Sequence, residues 1–293
     1  MRAAKIAGAP ISWGVCEVPG WGHQLSFGRV LREMRDAGLA ATELGPRGFL
    51  PTDAVELSSV LTMHGLRGVG TFAPVVLHDA SRDPVADLAG TLDLLTACGA
   101  EILVFAAATG ADGYDGRPAL EATQWATLLS NLERLADVAA RRAVLAALHP
   151  HVGTMVETRA DVDRVLSGSS VPLCLDTGHL LIGGTDPVEL ARTAPNRVAH
   201  VHLKDVDAHL AARVRSGELT YTRAVAHGMY RPLGRGDVDI DQIVSTLRHN
   251  GFDGWFVLEQ DTILDGEPVD EGPLRDVFAG IAYLQSVLGR VPA

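Results

Sequence analysis

The sequence predicts an α/β protein, a single-domain (β/α)8 TIM barrel over residues 1–293, on three observations. Eight short apolar runs rich in strand formers recur along the chain, which is the number such a barrel requires. Longer stretches with apolar residues at helical spacing separate them, and this alternation implies a parallel sheet. The helix boundaries carry their own chemistry, with caps at the starts and glycines at the ends. A doubly wound open sheet is the rival architecture, weakened because no GxGxxG turn follows the first strand.

In chain order the strand candidates are KIAGAPIS (5–12), LAATELG (39–45), LRGVGTFA (66–73), EILVFAA (101–107), AVLAALH (143–149), VPLCLDTG (171–178), RVAHVHLK (197–204) and GWFVLEQD (254–261). Helical patterns run from Phe27 to Ala37, Pro84 to Ala97, Ala119 to Arg142, Arg159 to Leu166, Ile240 to His249 and Leu274 to Leu288. Asp186-Pro187 starts another helix, because proline fits the first turn, where its missing N–H has no helical partner to lose. Thr158 and Asp161 have the spacing of a capping box, and Gly38, Gly65, Gly99 and Gly251 stand where helices should end. One connection is long: Val206 to Asp237, after the seventh strand, reads as irregular and arginine-containing, hence as a lid or a subunit contact.

Composition narrows the function. Hydrophobic residues make up 47% of the 293, enough for one sizeable core. Lysine and arginine total 25 against 36 aspartate and glutamate, and the resulting charge of −11 disfavours nucleic acid and anionic membranes as partners. Cys16, Cys98 and Cys174 are far apart and lack CxxC spacing, so neither a disulfide framework nor a thiolate zinc site is expected. The opening MRAAKIAGAPISWG is broken by Lys5 and Pro10 and reads as neither signal peptide nor anchor, which places the protein in the cytoplasm.

Catalytic groups of such a barrel sit at the C-terminal ends of its strands. His149, Asp176, His202 and Glu259 end the fifth to eighth strand candidates, which are neighbours around the ring, so the four converge. Strand alternation gives an independent check: His200, His202 and Lys204 share one face, and Ala199, Val201 and Leu203 the other. The polar face must point into the barrel. Two imidazoles and two carboxylates form a mixed site for a divalent metal, Mn²⁺, Co²⁺, Fe²⁺ or Zn²⁺ rather than Ca²⁺. A single buried histidine is more often a hydrogen-bonded core residue than a ligand; four such groups on adjacent strand ends argue for the metal.

Around this set lie Glu43, Trp13, His151, His179 and Lys204, each a candidate contact to a polyhydroxylated substrate, and Lys204 is suited to stabilising a developing enolate. Packing is the competing role for Trp13, and an ion pair that for Lys204. Cys174 reads as a core filler and His200 as a group supporting a ligand. Arg231 and Arg235, in the long connection, are placed either to close over a ligand or to lie on a solvated loop.

DTGH (176–179), HVHLKD (200–205), PLGRGDVD (232–239) and LEQD (258–261) together resemble the xylose isomerase-like superfamily of metal-dependent TIM barrels. GAPISWG (8–14), ELGPRGFLPTD (43–53) and HPHVGTMVET (149–158) look most like its inosose (2-keto-myo-inositol) dehydratases, over about residues 7 to 262. The resemblance puts the metal on His149, Asp176, His202 and Glu259, with Mn²⁺ or Co²⁺ foremost and Mg²⁺ or Zn²⁺ as alternatives. It implies a polyhydroxy ketone substrate, catalytic work by Glu259, His151, Lys204 and Glu43, and substrate contacts from Trp13, His179 and Arg235. Many isomerases and epimerases of the superfamily carry glutamate where His149 stands, pairing it with the eighth-strand glutamate across the substrate. The break in that pair favours elimination, for which one base and one acid suffice, over two-base epimerisation. A ketose or inosose isomerase on the same site is the alternative, and a homo-oligomer is compatible with these residues. An abasic-site endonuclease is disfavoured because the third and fourth strand ends and the GRGDVD segment carry no histidine. A non-enzymatic sugar sensor and a facial-triad Fe²⁺ oxygenase are the remaining readings.

Overall fold

In the computed structural model, which describes residues 4–290, eight parallel strands close into one ring. They are β1 (Lys5–Gly8), β2 (Ala41–Glu43), β3 (Arg67–Val75), β4 (Ile102–Ala107), β5 (Leu145–Leu148), β6 (Leu173–Asp176), β7 (Val198–Leu203) and β8 (Trp255–Leu258). Each pairs with its sequence neighbours, and β8 closes on β1 with Lys5 opposite Trp255 and Gly8 opposite Leu258. The outermost residues of the predicted 1–293 span, 1–3 and 291–293, lie outside the described residues.

All eight strands match the predicted runs; seven are trimmed at their ends, while β3 starts one residue later and runs two residues further, to Val75. The first is cut short because Pro10 opens a 3-10 turn, Pro10–Trp13. Asp176 ends β6 and caps the next helix, Thr177–Ile182, accepting from the Gly178 and His179 amides at 2.9 and 2.8 Å.

Alternation sorts the side chains into two cores. Val201, Leu203, Phe105, Leu148 and Leu175 face outward into the layer shared with the helices. Facing inward, Ala7, Ala41, Val69 and Val257 fill one side of the barrel, and Ile102, Val104, Ala147 and Cys174 the other. Above this apolar plug the inward face turns polar with Glu43, His149, Asp176, His202 and Glu259, all buried.

Four of the predicted helices keep their outline: Phe27–Asp36, Ala122–Ala140, Arg159–Gly168 and Pro273–Arg290; Ile240–His249 is reproduced end to end. The Thr158–Asp161 capping box and the Asp186 cap on Pro187–Thr193 are formed, and Gly38, Gly65, Gly99 and Gly251 take positive φ angles of 84, 67, 71 and 83°. The predicted helix from Pro84 to Ala97 is divided at Leu88 into Pro84–Asp87 and Ala89–Cys98. Ala54–Met63 was not anticipated: only Leu57 and Leu61 are buried while Val55 and Met63 are exposed, so no apolar stripe marks it.

The long connection is not irregular, which corrects the prediction. It contains helices Ala208–Arg215 and Tyr221–Ala226, capped by Asp207 and Thr220, and an antiparallel ribbon of Asp205–Val206 with Tyr230–Arg231. Its return is pinned by Asp205, a buried carboxylate that accepts from the amides of Gly234, Gly236 and Val238 at 2.8, 2.9 and 3.0 Å. A side chain at Gly236 would collide with that carboxylate. The last residue of HLKD and the glycines of PLGRGD are thus one structural unit. Among the described residues no helix is long and apolar enough to cross a membrane.

Candidate active site

The inward residues at the C-terminal ends of β5 to β8 converge as strand order requires. His149 Nε2 lies 3.3 Å from Asp176 Oδ2, and His202 Nδ1 lies 3.7 Å from the same oxygen and 3.2 Å from Glu259 Oε2. Asp176, His202 and Glu259 offer ligand atoms all within 4.8 Å of one another, as do His149, Asp176 and His179. Asp176 Oδ2 and His202 Nδ1 are buried with no hydrogen-bond partner. Buried polar atoms left without a hydrogen bond are costly, and a divalent cation between these removes the cost, so the donor set fits a metal ion. Burial pushes the Cys174 thiol up to about 11, and its sulfur lies within 4.8 Å of ligand atoms of His149 and His202.

Lys204 stands beside the carboxylates. Its Nζ is 2.6 Å from Asp261 Oδ1, 3.1 Å from Glu259 Oε2 and 3.5 Å from Asp176 Oδ2. Burial penalises its charge, yet Asp176, Asp261 and Glu259 overcome this and hold the amine well above its ordinary value, as a fixed ammonium. Thr177 fixes the lysine backbone from both sides, its hydroxyl donating to the Lys204 carbonyl at 2.6 Å and accepting from the Lys204 amide at 2.8 Å.

His151 reaches the same cavity. Its Nδ1 lies 2.7 Å from the Val152 carbonyl, which can only accept, so Nδ1 carries the proton and Nε2 keeps its lone pair. Burial, then the neighbouring His149 and Lys204, hold this imidazole well below its ordinary value. His179 stacks on it with ring centres 3.6 Å apart and lies 3.2 Å from Lys204 Nζ. Glu43, from β2, crosses the barrel to meet His200 and His202. Burial opposes its ionisation, but these imidazoles outweigh that and keep its carboxyl below the usual carboxylate range.

The cavity measures about 60 Å³ and is lined by Glu43, His149, His151, His202, Lys204 and Glu259 with Phe72, Trp21, Tyr114, Tyr221 and Asp261. At roughly 10–15 Å³ per water that is space for a handful of waters. Tyr114 and Glu17 form part of its wall, hydrogen-bonded side chain to side chain and both on irregular segments. They also line a groove outside it, of about 390 Å³.

Seven predicted site residues therefore meet: His149, Asp176, His202, Glu259, His151, Lys204 and Glu43. All of these but Asp176 line the cavity, whereas Trp13, Arg235 and His179 do not. Trp13 is fully buried and donates from Nε1 to Glu33 Oε2 at 2.7 Å, because the 3-10 turn aims it at helix Phe27–Asp36. Arg235 is exposed at a separate hollow with Arg231 and Arg275, carried there by the turn that Asp205 pins. His179 is fully buried behind His151. Sequence reasoning missed Trp21, Tyr114, Tyr221, Tyr230 and Asp261. Only Asp261 had a signal, two residues beyond Glu259 on the same inward face. Its Oδ2 accepts from Tyr221 at 2.6 Å, and Tyr221 meets the Tyr230 hydroxyl at 3.0 Å, so the long connection reaches the site through two tyrosines.

The sequence profile of the xylose isomerase-like TIM barrel family matches residues 31–282. The rhizopine catabolism protein MocC of Rhizobium meliloti is 35% identical over 269 residues, 88% of this chain and 82% of that protein. An inosose dehydratase of Geobacillus kaustophilus is 31% identical over 268 residues, 87% of this chain and 86% of that protein. Among solved structures, L-ribulose 3-epimerase superposes with a TM-score of 0.73 at 18% identity, covering 99% of this chain and 96% of that one, which is a likeness of fold.

Proposed function

The chain belongs to the xylose isomerase-like TIM barrel family, and from that premise we propose that it is a divalent-metal-dependent hydro-lyase acting on a cyclic polyhydroxy ketone, 2-keto-myo-inositol foremost. The observation that carries the reading is the pairing of one free imidazole, His151, with one fixed ammonium, Lys204, beside a site whose β5 ligand is histidine. Relatives named inosose dehydratase, at 27 to 31% identity, support the substrate class.

His149, Asp176, His202 and Glu259 would hold the ion, Mn²⁺ or Co²⁺ by their mixed nitrogen and oxygen donors. When bound, such an ion supplies Lewis acidity toward the ketone oxygen and a neighbouring hydroxyl. His151 takes the proton α to the ketone on Nε2. The Lys204 ammonium stabilises the negative charge that develops on oxygen, in a site from which water is largely excluded. The His151 imidazolium, disfavoured by burial and by His149 and Lys204, returns its proton to the β-hydroxyl, which leaves as water. One group on one face thus serves as base and then acid, and the product is a trihydroxycyclohexane dione.

The test is proton NMR of 2-keto-myo-inositol in deuterated buffer with metal-stripped protein, before and after Mn²⁺ or Co²⁺ is restored. Metal-dependent appearance of the dehydrated dione is expected. Deuterated but undehydrated ketone would instead make the protein an isomerase or epimerase.

A further inference from the structure

We infer that Glu43 is a positioning residue that sets which nitrogen of His202 faces the cation, holding Nε2–H from across the barrel so that Nδ1 is left to coordinate. The inference rests on the metal-site half of the proposed function and is independent of the carbonyl compound consumed.

A carboxylate oxygen only accepts hydrogen bonds. Glu43 Oε1 lies 2.8 Å from His200 Nε2 and 2.9 Å from His202 Nε2, so both of those nitrogens carry protons. The remaining nitrogen of His202, Nδ1, has no hydrogen-bond partner and sits among the oxygens of Asp176 and Glu259. His149 is held the other way round. Its Nδ1 donates to the Pro150 carbonyl at 2.9 Å, leaving Nε2 toward Asp176. The two imidazole ligands thus present opposite nitrogens to one point, and each choice is dictated by the acceptor at the far side of its ring.

For His149 that acceptor is backbone and comes with the chain. On β7 the backbone is occupied by the sheet, so the acceptor must come from elsewhere, and β2 supplies it from three strands away around the ring. His200, one inward layer deeper than His202, bonds to the same Oε1 and holds that oxygen in place. Its own Nδ1 is buried without a partner, so its remaining polar atom serves no other contact. Outer partners of this kind commonly set metal affinity by about 10–100-fold.

The experiment compares wild type with Glu43→Met, which keeps the length but has no acceptor, and Glu43→Gln, which keeps an acceptor oxygen. Two readouts are taken: Zn²⁺ affinity by chelator competition, and the ¹⁵N-detected ring N–H of His202 in metal-free and Zn²⁺-loaded protein. Wild type should show an exchange-protected Nε2–H on His202 in both states. Glu43→Met should lose that protection and bind Zn²⁺ about 10–100-fold more weakly, and Glu43→Gln should restore most of both. Wild-type Zn²⁺ affinity in Glu43→Met, or a His202 that lacks Nε2–H in the wild type, overturns the inference. If wild type binds no metal, the metal reading fails while the ring proton still reports whether Glu43 holds His202.

Discussion

His151, His179 and His200 are buried imidazoles held below their ordinary value, in each case chiefly by desolvation. A histidine with a lowered folded-state value contributes stability above its unfolded value, near 6.5, and loses it as the pH falls through that value. His202 works in the opposite sense: burial penalises its charge, but the surrounding acidic groups raise it well above 6.5, so it favours the fold at low pH. With His78, which burial also lowers, the count is four against one, and the metal-free protein should have a lower urea midpoint at pH 5.5 than at pH 7.5; a midpoint that rises on acidification would sink this assignment of protons. At this scale the sequence was legible wherever strand alternation and strand-end position decide the outcome, as for His149, Asp176, His202 and Glu259. It named Trp13 as a substrate contact, with packing as the competing role, and passed over Trp21. Both are tryptophans in the first connection, and only the 3-10 turn at Pro10 determines that the first packs on Glu33 while the second lines the cavity.

The elements that carry the walls of the site are connections, and their geometry depends on single residues. Gly153, with φ of 73°, lets the segment after β5 run directly beneath the Tyr114 backbone, and an added Cβ would overlap that backbone. Gly153→Ala should therefore cost about 1–2 kcal/mol for the left-handed conformation, with the clash in addition, and displace Tyr114 from its seat on His151. Chemical denaturation measures the first effect. For the second, KM should rise more than kcat falls, and an unchanged KM would mean that Tyr114 does not shape the bound state. The barrel strands were readable because each is a short apolar run between turn signals. Helices Ala208–Arg215 and Tyr221–Ala226 were not: the first buries only Ala211, and the second, though Tyr221, Ala224 and Val225 are buried at helical spacing, is only six residues long.

For the whole molecule, a bound cation would add to the free energy of folding, since the unfolded chain scatters the four ligands. At a free concentration about 100-fold above Kd the gain is roughly 2.7 kcal/mol, which for a domain of this size raises Tm by about 4 °C. Thermal melts in chelator and with Mn²⁺ or Co²⁺ restored should differ by that amount; superimposed melts would leave the ligand set without an ion. The ring itself has a further consequence for how the protein is made. Its seam joins Lys5–Gly8 to Trp255–Leu258, and the proposed ligands run from His149 to Glu259, all in the later half of the chain. During synthesis the first four strands emerge carrying none of them, and Glu259 is translated only after β8 has become available to meet β1. A chain cut short before that point has an open sheet edge and an incomplete set of donors, so a ribosome-bound fragment cannot capture the metal in its final geometry. On the proposed ligand set, loading an ion would then await the closing of the circle.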